Sequence, residues 1–488
     1  MSRKTNDKLA SRIGFLLLFF SISFLSIAQE GSTKVWTLEE CIEYALENNI
    51  QIQQSELTQQ MAEQDVIASK YNLLPNLNGF ASNIYNYGQT IDPFTNQFAT
   101  ERVRSNSFSL SSQLTLFDGF RNINTIKRNQ ASLESSKYDL EQMKNDISLN
   151  IANQYLQILF NKELLKNANN QLQITSIQID RVRKQVEAGA LPNGSLMDIE
   201  AQYASEELQK VNAQNQLRLS RINLAQLLRL ENADDFEVLT PATEQLTEVV
   251  DLTTPGALYQ TALDIMPEIK SAEYNYYSAE KSKALAKGAY YPTLSMTGSV
   301  GSGYSGANQI VDGTEFLGFT PNGDVTAGGD AVLSPSFQPN LVDKPFGDQL
   351  DDNFNRSFGF RLNIPIFNGL SARTNVQKAK LSMQSANLNL ENAKLVLRQN
   401  IESAHADAVA ALNRYNAAKK SVEALELSFS YTQERFDVGM INSFDFNNEK
   451  NRLNNANSEL LQAKYDYIFR MKVLDFYQGK AISFQSEE

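Results

Sequence analysis

The chain repeats itself, and the repeat limits its fold more tightly than any single motif. Leu46-Glu47-Asn48-Asn49-Ile50-Gln51-Ile52 aligns with Leu263-Asp264-Ile265-Met266-Pro267-Glu268-Ile269 at an offset of 217. The same offset brings Pro75 of Leu73-Leu74-Pro75-Asn76-Leu77 onto Pro292 of Tyr290-Tyr291-Pro292-Thr293-Leu294. Further on, Leu114-Thr115-Leu116-Phe117-Asp118-Gly119-Phe120 matches Ile364-Pro365-Ile366-Phe367-Asn368-Gly369-Leu370 at 250, so the second copy gains 33 residues between these anchors. Leu224-Ala225-Gln226-Leu227 matches Met471-Lys472-Val473-Leu474 at 247, which gives the first copy three extra residues, placed at Leu191-Pro192-Asn193-Gly194-Ser195. Repeats of this kind leave each unit with an apolar face that its neighbour must cover.

The organisation that follows is a leader at 1–28, a first repeat at 29–230, a linker at 231–255, a second repeat at 256–480 and a tail at 481–488. The leader carries Arg3, Lys4, Lys8 and Arg12, then an apolar run from Ile13 to Leu25 and the small-x-small site Ser26-Ile27-Ala28. That is a secretory signal peptide, too short in its apolar part for a membrane anchor. No later segment has 18 consecutive apolar residues. A membrane crossing therefore requires a β-barrel.

Composition removes several functions. One histidine and one cysteine among 488 residues leave no donor set for a zinc or iron centre, so no metal or cofactor is expected. With 44 basic against 56 acidic residues the chain lacks the electrostatic footprint of a nucleic-acid binder. His405 sits in an alanine-rich helical stripe with no second ligand and reads as a packing or pore-facing residue. Cys41 reads as a small apolar residue in an N-terminal amphipathic helix.

Each copy reads helix, strand, loop, strand, long helix, turn, helix. Phe108, Leu110, Leu114 and Leu116 alternate with Ser107, Ser109, Ser111, Gln113 and Thr115. Leu294, Met296 and Val300 alternate with Thr293, Ser295, Thr297 and Ser299, and Phe358, Phe360, Leu362, Ile364 and Ile366 with Ser357, Arg361 and Asn363. Segments of ~10–12 residues with this alternation suit barrel strands, although a soluble sheet with one wet face shares it. Between Gly119 and Ala188 there is neither proline nor glycine, and Leu140, Met143, Ile147, Ile151, Tyr155 and Ile158 are spaced as a helical stripe. Leu390, Ala393, Leu397, Ile401, His405 and Ala408 answer in the second copy, and Leu453, Ala456, Leu460, Ala463, Tyr467, Met471 and Leu474 form a heptad-like seam. The short helices are placed at about 37–71 and 196–230. Four strands cannot close a barrel, since single-chain barrels need at least eight, so several chains must share one.

With these features in order and duplicated, the chain resembles the TolC-like outer-membrane efflux protein family. The resemblance rests on the two-copy layout, on the strand-to-helix turns at Leu116-Phe117-Asp118-Gly119 and Pro365-Ile366-Phe367-Asn368-Gly369, and on the hairpin tips Val186-Glu187-Ala188-Gly189-Ala190-Leu191 and Phe436-Asp437-Val438-Gly439-Met440. It implies a mainly α chain with transmembrane β: four strands from 75–117 and 292–367 completing a shared trimeric β-barrel, with a long coiled-coil tunnel in the periplasm and a mixed equatorial region around the linker.

The resemblance further implies a non-enzymatic exit duct of a tripartite efflux or type I secretion system. Its partners would be two further copies, a periplasmic adaptor, a proton- or ATP-driven inner-membrane pump and outer-membrane lipid. Gly189, Ala190, Leu191, Val438, Gly439 and Met440 would dock the adaptor, and tip helices from about Glu423 to Asn455 would shift outward on opening. Asp445 and Asp198, matched once the three extra residues are removed, would ring the pore entrance. Placement near a helix N-terminus is the other reading of both. A second family acid would fall at Asn448, which breaks the pattern. Arg361 lies on the polar strand face and would face the lumen. Gly301 to Arg356 reads as a solvated extracellular loop able to fold over the mouth or hold a cation; from Val311 to Asp352 it has eight acidic residues and one lysine. A non-conducting periplasm-spanning envelope protein is the rival class.

Overall fold

The computed structural model describes residues 34–96, 98–99, 102–232, 236–241 and 254–483. The leader, much of the linker and the end of the tail lie outside the described residues. Two compact units share the chain, one drawing on residues up to 56, 139–269 and 393–483, the other on 57–138 and 270–392.

The first unit is helical with a small β element. Strand β1 (Lys34–Trp36) is followed by α1 (Leu38–Asn48), and α2 (Ile50–Tyr71) begins here before entering the second unit. Thr37 caps α1 in a reciprocal box with Glu40, which satisfies two orphan amides. The single helix expected over 37–71 is broken: Asn49 is extended, and its side chain accepts from Gln51 N at 2.9 Å to start α2. The second copy breaks at the same place. Helix α5 (Pro255–Ile265) ends at extended Met266, and Pro267 opens α6 (Pro267–Lys287). Proline suits the first turn of a helix and holds its predecessor extended.

Helices α3 (Arg121–Glu187) and α8 (Ser371–Asp437) have 67 residues each, and each turns into a shorter partner, α4 (Asn193–Leu228) or α9 (Ser443–Tyr477). Ile147, Ile151, Tyr155 and Ile158 of α3 and Leu397, Ile401, Ala408 and Ala411 of α8 are buried, as their spacing predicts. The linker supplies β6 (Phe236–Val238), which pairs in parallel with β1, Lys34 opposite Phe236. Trp36, Leu38, Cys41, Ile151, Tyr155, Leu224, Leu228 and Phe236 form the core around this ribbon. The Tyr155 hydroxyl lies 2.6 Å from the Leu239 carbonyl, and burial drives its pKa upward.

The second unit is built on an antiparallel sheet in the order β10 (Asn355–Asn363), β7 (Thr293–Ser305), β5 (Val103–Phe117), β2 (Asn76–Asn86). Its registers obey the repeat. Offsets of 217 and 250 carry the β2–β5 pair Asn76–Gln113 onto the β7–β10 pair Thr293–Asn363. Leu77, Phe108, Leu110, Leu294, Met296, Phe358, Phe360 and Leu362 share one face, with Ser112 and Ser302 among them, and the other serines and threonines of the four strands share the opposite face.

Two further expectations fail. The residues between Gly301 and Arg356 are not a loop: they contain a β-ribbon, β8 (Gln309–Val325) with β9 (Ala331–Asp343), then α7 (Phe346–Asp352). A short ribbon, β3 (Thr90–Ile91) with β4 (Phe98–Ala99), lies in the first-copy connection. Nor does the first copy hold three extra residues at its tip. Left-handed backbone recurs at Gly119 and Gly369, Phe120 and Leu370, Gly189 and Gly439, and Arg229 and Gly479, every pair 250 apart. The offset of 247 therefore gives way to 250 throughout, and Leu224 corresponds to Leu474, both buried.

Candidate functional site

Both hairpin tips close with the same hydrogen bonds. Ala190 N donates to Gln185 O at 2.8 Å and Gly189 N to Val186 O at 2.9 Å; Met440 N donates to Arg435 O at 2.8 Å and Gly439 N to Phe436 O at 3.0 Å. This is the Schellman pattern, and it requires the left-handed residue that Gly189 (φ 74°) and Gly439 (φ 77°) provide. Gly189, Ala190, Val438, Gly439 and Met440 are exposed and Leu191 is half-buried, which leaves small and apolar groups bare at the turns. Phe446 anchors the second tip from behind, stacked on Phe436 at 4.5 Å between ring centroids and fully buried.

The constant offset separates the two aspartates. Asp445 corresponds to Ser195 and Asp198 to Asn448, so they are not repeat counterparts. Asp445 occupies the first turn of α9, its amide donating to the Asn442 cap at 2.8 Å, where a carboxylate complements the helix dipole. Asp198 is the sixth residue of α4, beyond that turn. Both are exposed. Arg361 sits on β10 opposite Ser295, on the polar face of the sheet. His405 lies half-buried beside the α8 seam, and Cys41 is wholly buried. Among the described residues no cluster of His, Cys, Asp and Glu could hold a metal, and no helix is long and apolar enough to cross a membrane.

Sequence reading missed a charged pair inside the helices. Lys450 Nζ lies 3.0 Å from Glu206 Oε1, and each side chain is 2% exposed. Thr175 donates to Glu206, Gln202 donates to it at 2.8 Å, and Gln202 also reaches Asn451 at 3.0 Å. One network thus joins α3, α4 and α9. Burial lowers the Lys450 pKa below 10.5 against the opposing pull of Glu206. The signal was present: Ile199, Glu206, Ala213 and Ser220 recur every seven residues, and a charge in such a seam needs a buried partner. Nearer the tips Arg181 pairs with Asp437, both partly exposed.

The second unit's four-stranded sheet with one apolar face and the first unit's duplicated helical hairpins are the parts expected of an outer-membrane channel protein. The model of the outer membrane efflux protein family matches residues 41–228 and 258–477. The chain is 24% identical over 426 residues to outer membrane protein TolC of Escherichia coli (strain K12), spanning 85% of this chain and 77% of that protein. Nodulation protein T of Rhizobium leguminosarum bv. viciae is 20% identical over 429 residues, spanning 88% and 78%. The solved structure of CusC matches with a TM-score of 0.73 at 16% identity, over 91% of this chain and 92% of that one. The open state of the Neisseria gonorrhoeae MtrE outer membrane channel matches with 0.68 at 17%, over 92% and 91%.

The chain belongs to the outer membrane efflux protein family. It is a TolC-like efflux channel of the outer membrane that extends into the periplasm.

Proposed function

We propose that three copies of this chain close one barrel and form a passive, non-enzymatic duct. An adaptor would dock at Gly189, Ala190, Leu191, Val438, Gly439 and Met440, and an inner-membrane pump, proton- or ATP-driven, would supply the energy. Asp445 would ring the entrance, with Asp198 a second ring displaced by about 4.5 Å, the rise of three helical residues. Arg361 would line the barrel lumen.

The observation that carries the oligomer is an inequality between the copies. In the first, the turn at Gly119 is covered by the end of the second-copy α6: a Cβ on Gly119 would lie 2.5 Å from Gly288 O and 2.8 Å from Tyr291 Cβ. In the second, a Cβ on Gly369 would meet nothing within 4 Å, and Ile366 and Phe367 are 95% and 81% exposed. What the second copy does for the first, a neighbouring chain's first copy does for the second. That relation is head-to-tail, the kind of contact from which closed rings are built.

The repeat would set the register between chains. The β5–β7 pair Leu110–Val300 becomes Phe360 opposite Asn83 of the neighbouring copy, with Leu362 beside Ala81 and Phe358 beside Tyr85 on the apolar face. In a chain carrying Asn83→Cys and Phe360→Cys, oxidation of outer membranes should give linked dimers and trimers. Monomers alone would sink the shared barrel. Single-channel recording in planar bilayers then separates duct from envelope spacer: no conductance even after Asp445→Ala and Asp198→Ala would favour the spacer.

A further inference from the structure

We infer that the β8–β9 ribbon is an assembly surface, its apolar face packing against the same face of the neighbouring copies beyond the outer end of the barrel. This rests on the shared barrel proposed above.

The ribbon is amphipathic. Along β9, Ala331, Leu333, Pro335, Phe337, Pro339 and Leu341 point one way and Ser334, Ser336, Gln338 and Asn340 the other, with Val332 and Val342 at the ends of the polar face. Of the apolar residues of β8, Ile310 lies opposite Val342 on the polar face and Leu317 stands in a register shift, while Val311, Phe316 and Phe319 do not alternate in sequence. Three register shifts, at Val311/Thr314, Phe316/Gly318 and Pro321/Val325, bring them onto that face, opposite Leu341, Phe337 and Pro335. Gly313, Gly318 and Gly323, with φ of 93°, 108° and 92°, stand in these shifts, where bulged backbone needs left-handed residues. The rings confirm the common face: Phe316 lies 5.5 Å from Phe337 and 5.4 Å from Phe319, centroid to centroid.

That face is bare. Phe316, Phe319, Val325, Leu333, Phe337 and Leu341 are 51–68% exposed. Their exposed surface with that of Val311 and the prolines amounts to roughly 800 Å², about the share one partner gives to a stable interface.

The helix that follows the ribbon is firmly mounted on β7. Gln349 of α7, fully buried, accepts from Ser305 N at 3.0 Å and donates to Ser305 O at 3.1 Å and Lys344 O at 2.9 Å. Asn353 donates to Gly303 O at 2.7 Å, and Phe346 packs on Tyr304 at 5.2 Å between centroids. The ribbon's return to the sheet is thus held at the end of β7, next to the edge strand β10 that the proposed neighbouring copy would meet.

Other occupants fit less well. From Gln309 to Asp343 there are five acidic residues and no basic one, the reverse of a segment that lies on lipid headgroups. A two-stranded ribbon in hydrocarbon would also leave both edges unpaired. Addition of a foreign strand is opposed by Pro321, Pro335 and Pro339, since a proline in a ribbon turns its donorless nitrogen to the open edge. The face remains, and a second copy, tethered alongside, presents its complement.

The test uses the full-length chain in outer membranes with Cys41→Ala as background. Phe337→Cys and Leu333→Cys, on the apolar face, should each give a majority of disulfide-linked dimers on oxidation, and Ser336→Cys, on the polar face, several-fold less. Sedimentation of the detergent-extracted protein reports the trimer independently. A trimer without links at 333 and 337, equal linking at 336, or links only to a different envelope protein would overturn the inference while leaving the shared barrel intact. Absence of the trimer would remove both.

Discussion

Removing one partner of the Glu206–Lys450 pair leaves a charge that the helix seam cannot solvate. Glu206→Ala should destabilise the chain by about 3–5 kcal/mol, the usual cost of an uncompensated buried charge. Replacing both residues by methionine should cost little, because desolvation offsets most of the attraction that a buried pair gains. Thermal unfolding of Glu206→Met, Lys450→Met and the double variant gives the coupling directly. The pair also has a pH signature. The folded-state pKa of Lys450 lies below its ordinary 10.5. Beneath that lowered value folded and unfolded chains both hold the proton and the burial cost is present in full. Between the lowered value and 10.5 the unfolded chain holds more protons, so stability rises with pH. The wild-type melting temperature should therefore climb across this alkaline window relative to that of the double-methionine variant. By contrast Arg181–Asp437 is partly exposed, with side chains 55% and 37% accessible, and its loss should cost under about 1 kcal/mol.

At the scale of elements, the Schellman closures make a matched pair of sites. Gly439→Ala should cost about 1–2 kcal/mol, the penalty for left-handed backbone in a residue with a Cβ, and Gly189→Ala should cost the same. Gly439→Asn should be milder, since asparagine tolerates that region. Chemical denaturation of the three variants checks the order. These tips were legible because glycine is almost obligatory there, and the long helices because nothing between Gly119 and Ala188 interrupts them. The ribbon at β8–β9 was hidden for a physical reason. Its bulges break the period-two signal in β8, and prolines in β9 argue against a strand unless both edges of the ribbon are known to be open. The breaks at Asn49 and Met266 were written in Pro267 and in the capping habit of asparagine. They were overlooked because the apolar pattern runs through them. The assignment of three residues to the first tip came from matching Leu224 to Met471 by residue type, when helix ends 250 apart set the true correspondence. Asp198 lost its partner by that correction, while Asp445 kept its place in the first turn of a helix.

For the whole molecule, the inequality between copies makes a prediction about volume. Within one chain the close approach at the first turn joins Gly288 to Arg121: a Cβ on Gly288 would collide with the Arg121 side chain. In the proposed assembly the repeat would carry this contact to the boundary between chains, where Tyr71 stands for Gly288 and Ser371 for Arg121. The bulk has changed sides. A glycine facing an arginine inside the chain would become a tyrosine facing a serine across it, and Tyr71 is 65% exposed in the single chain. Overfilling a closely packed contact forces side chains and backbone apart and commonly costs 1–3 kcal/mol. Repeated at three boundaries, that is enough to shift an assembly equilibrium by orders of magnitude. Ser371→Arg should therefore lower the trimer fraction in detergent, read by sedimentation, and leave the melting of the single-chain core unchanged. Adding Tyr71→Gly should restore assembly, because the boundary then copies the internal contact. Tyr71→Gly alone should weaken the trimer by removing apolar area without relieving strain. Rescue by the second change is the decisive outcome: if Ser371→Arg with Tyr71→Gly assembles no better than Ser371→Arg, the neighbouring chain does not meet this one through the repeat.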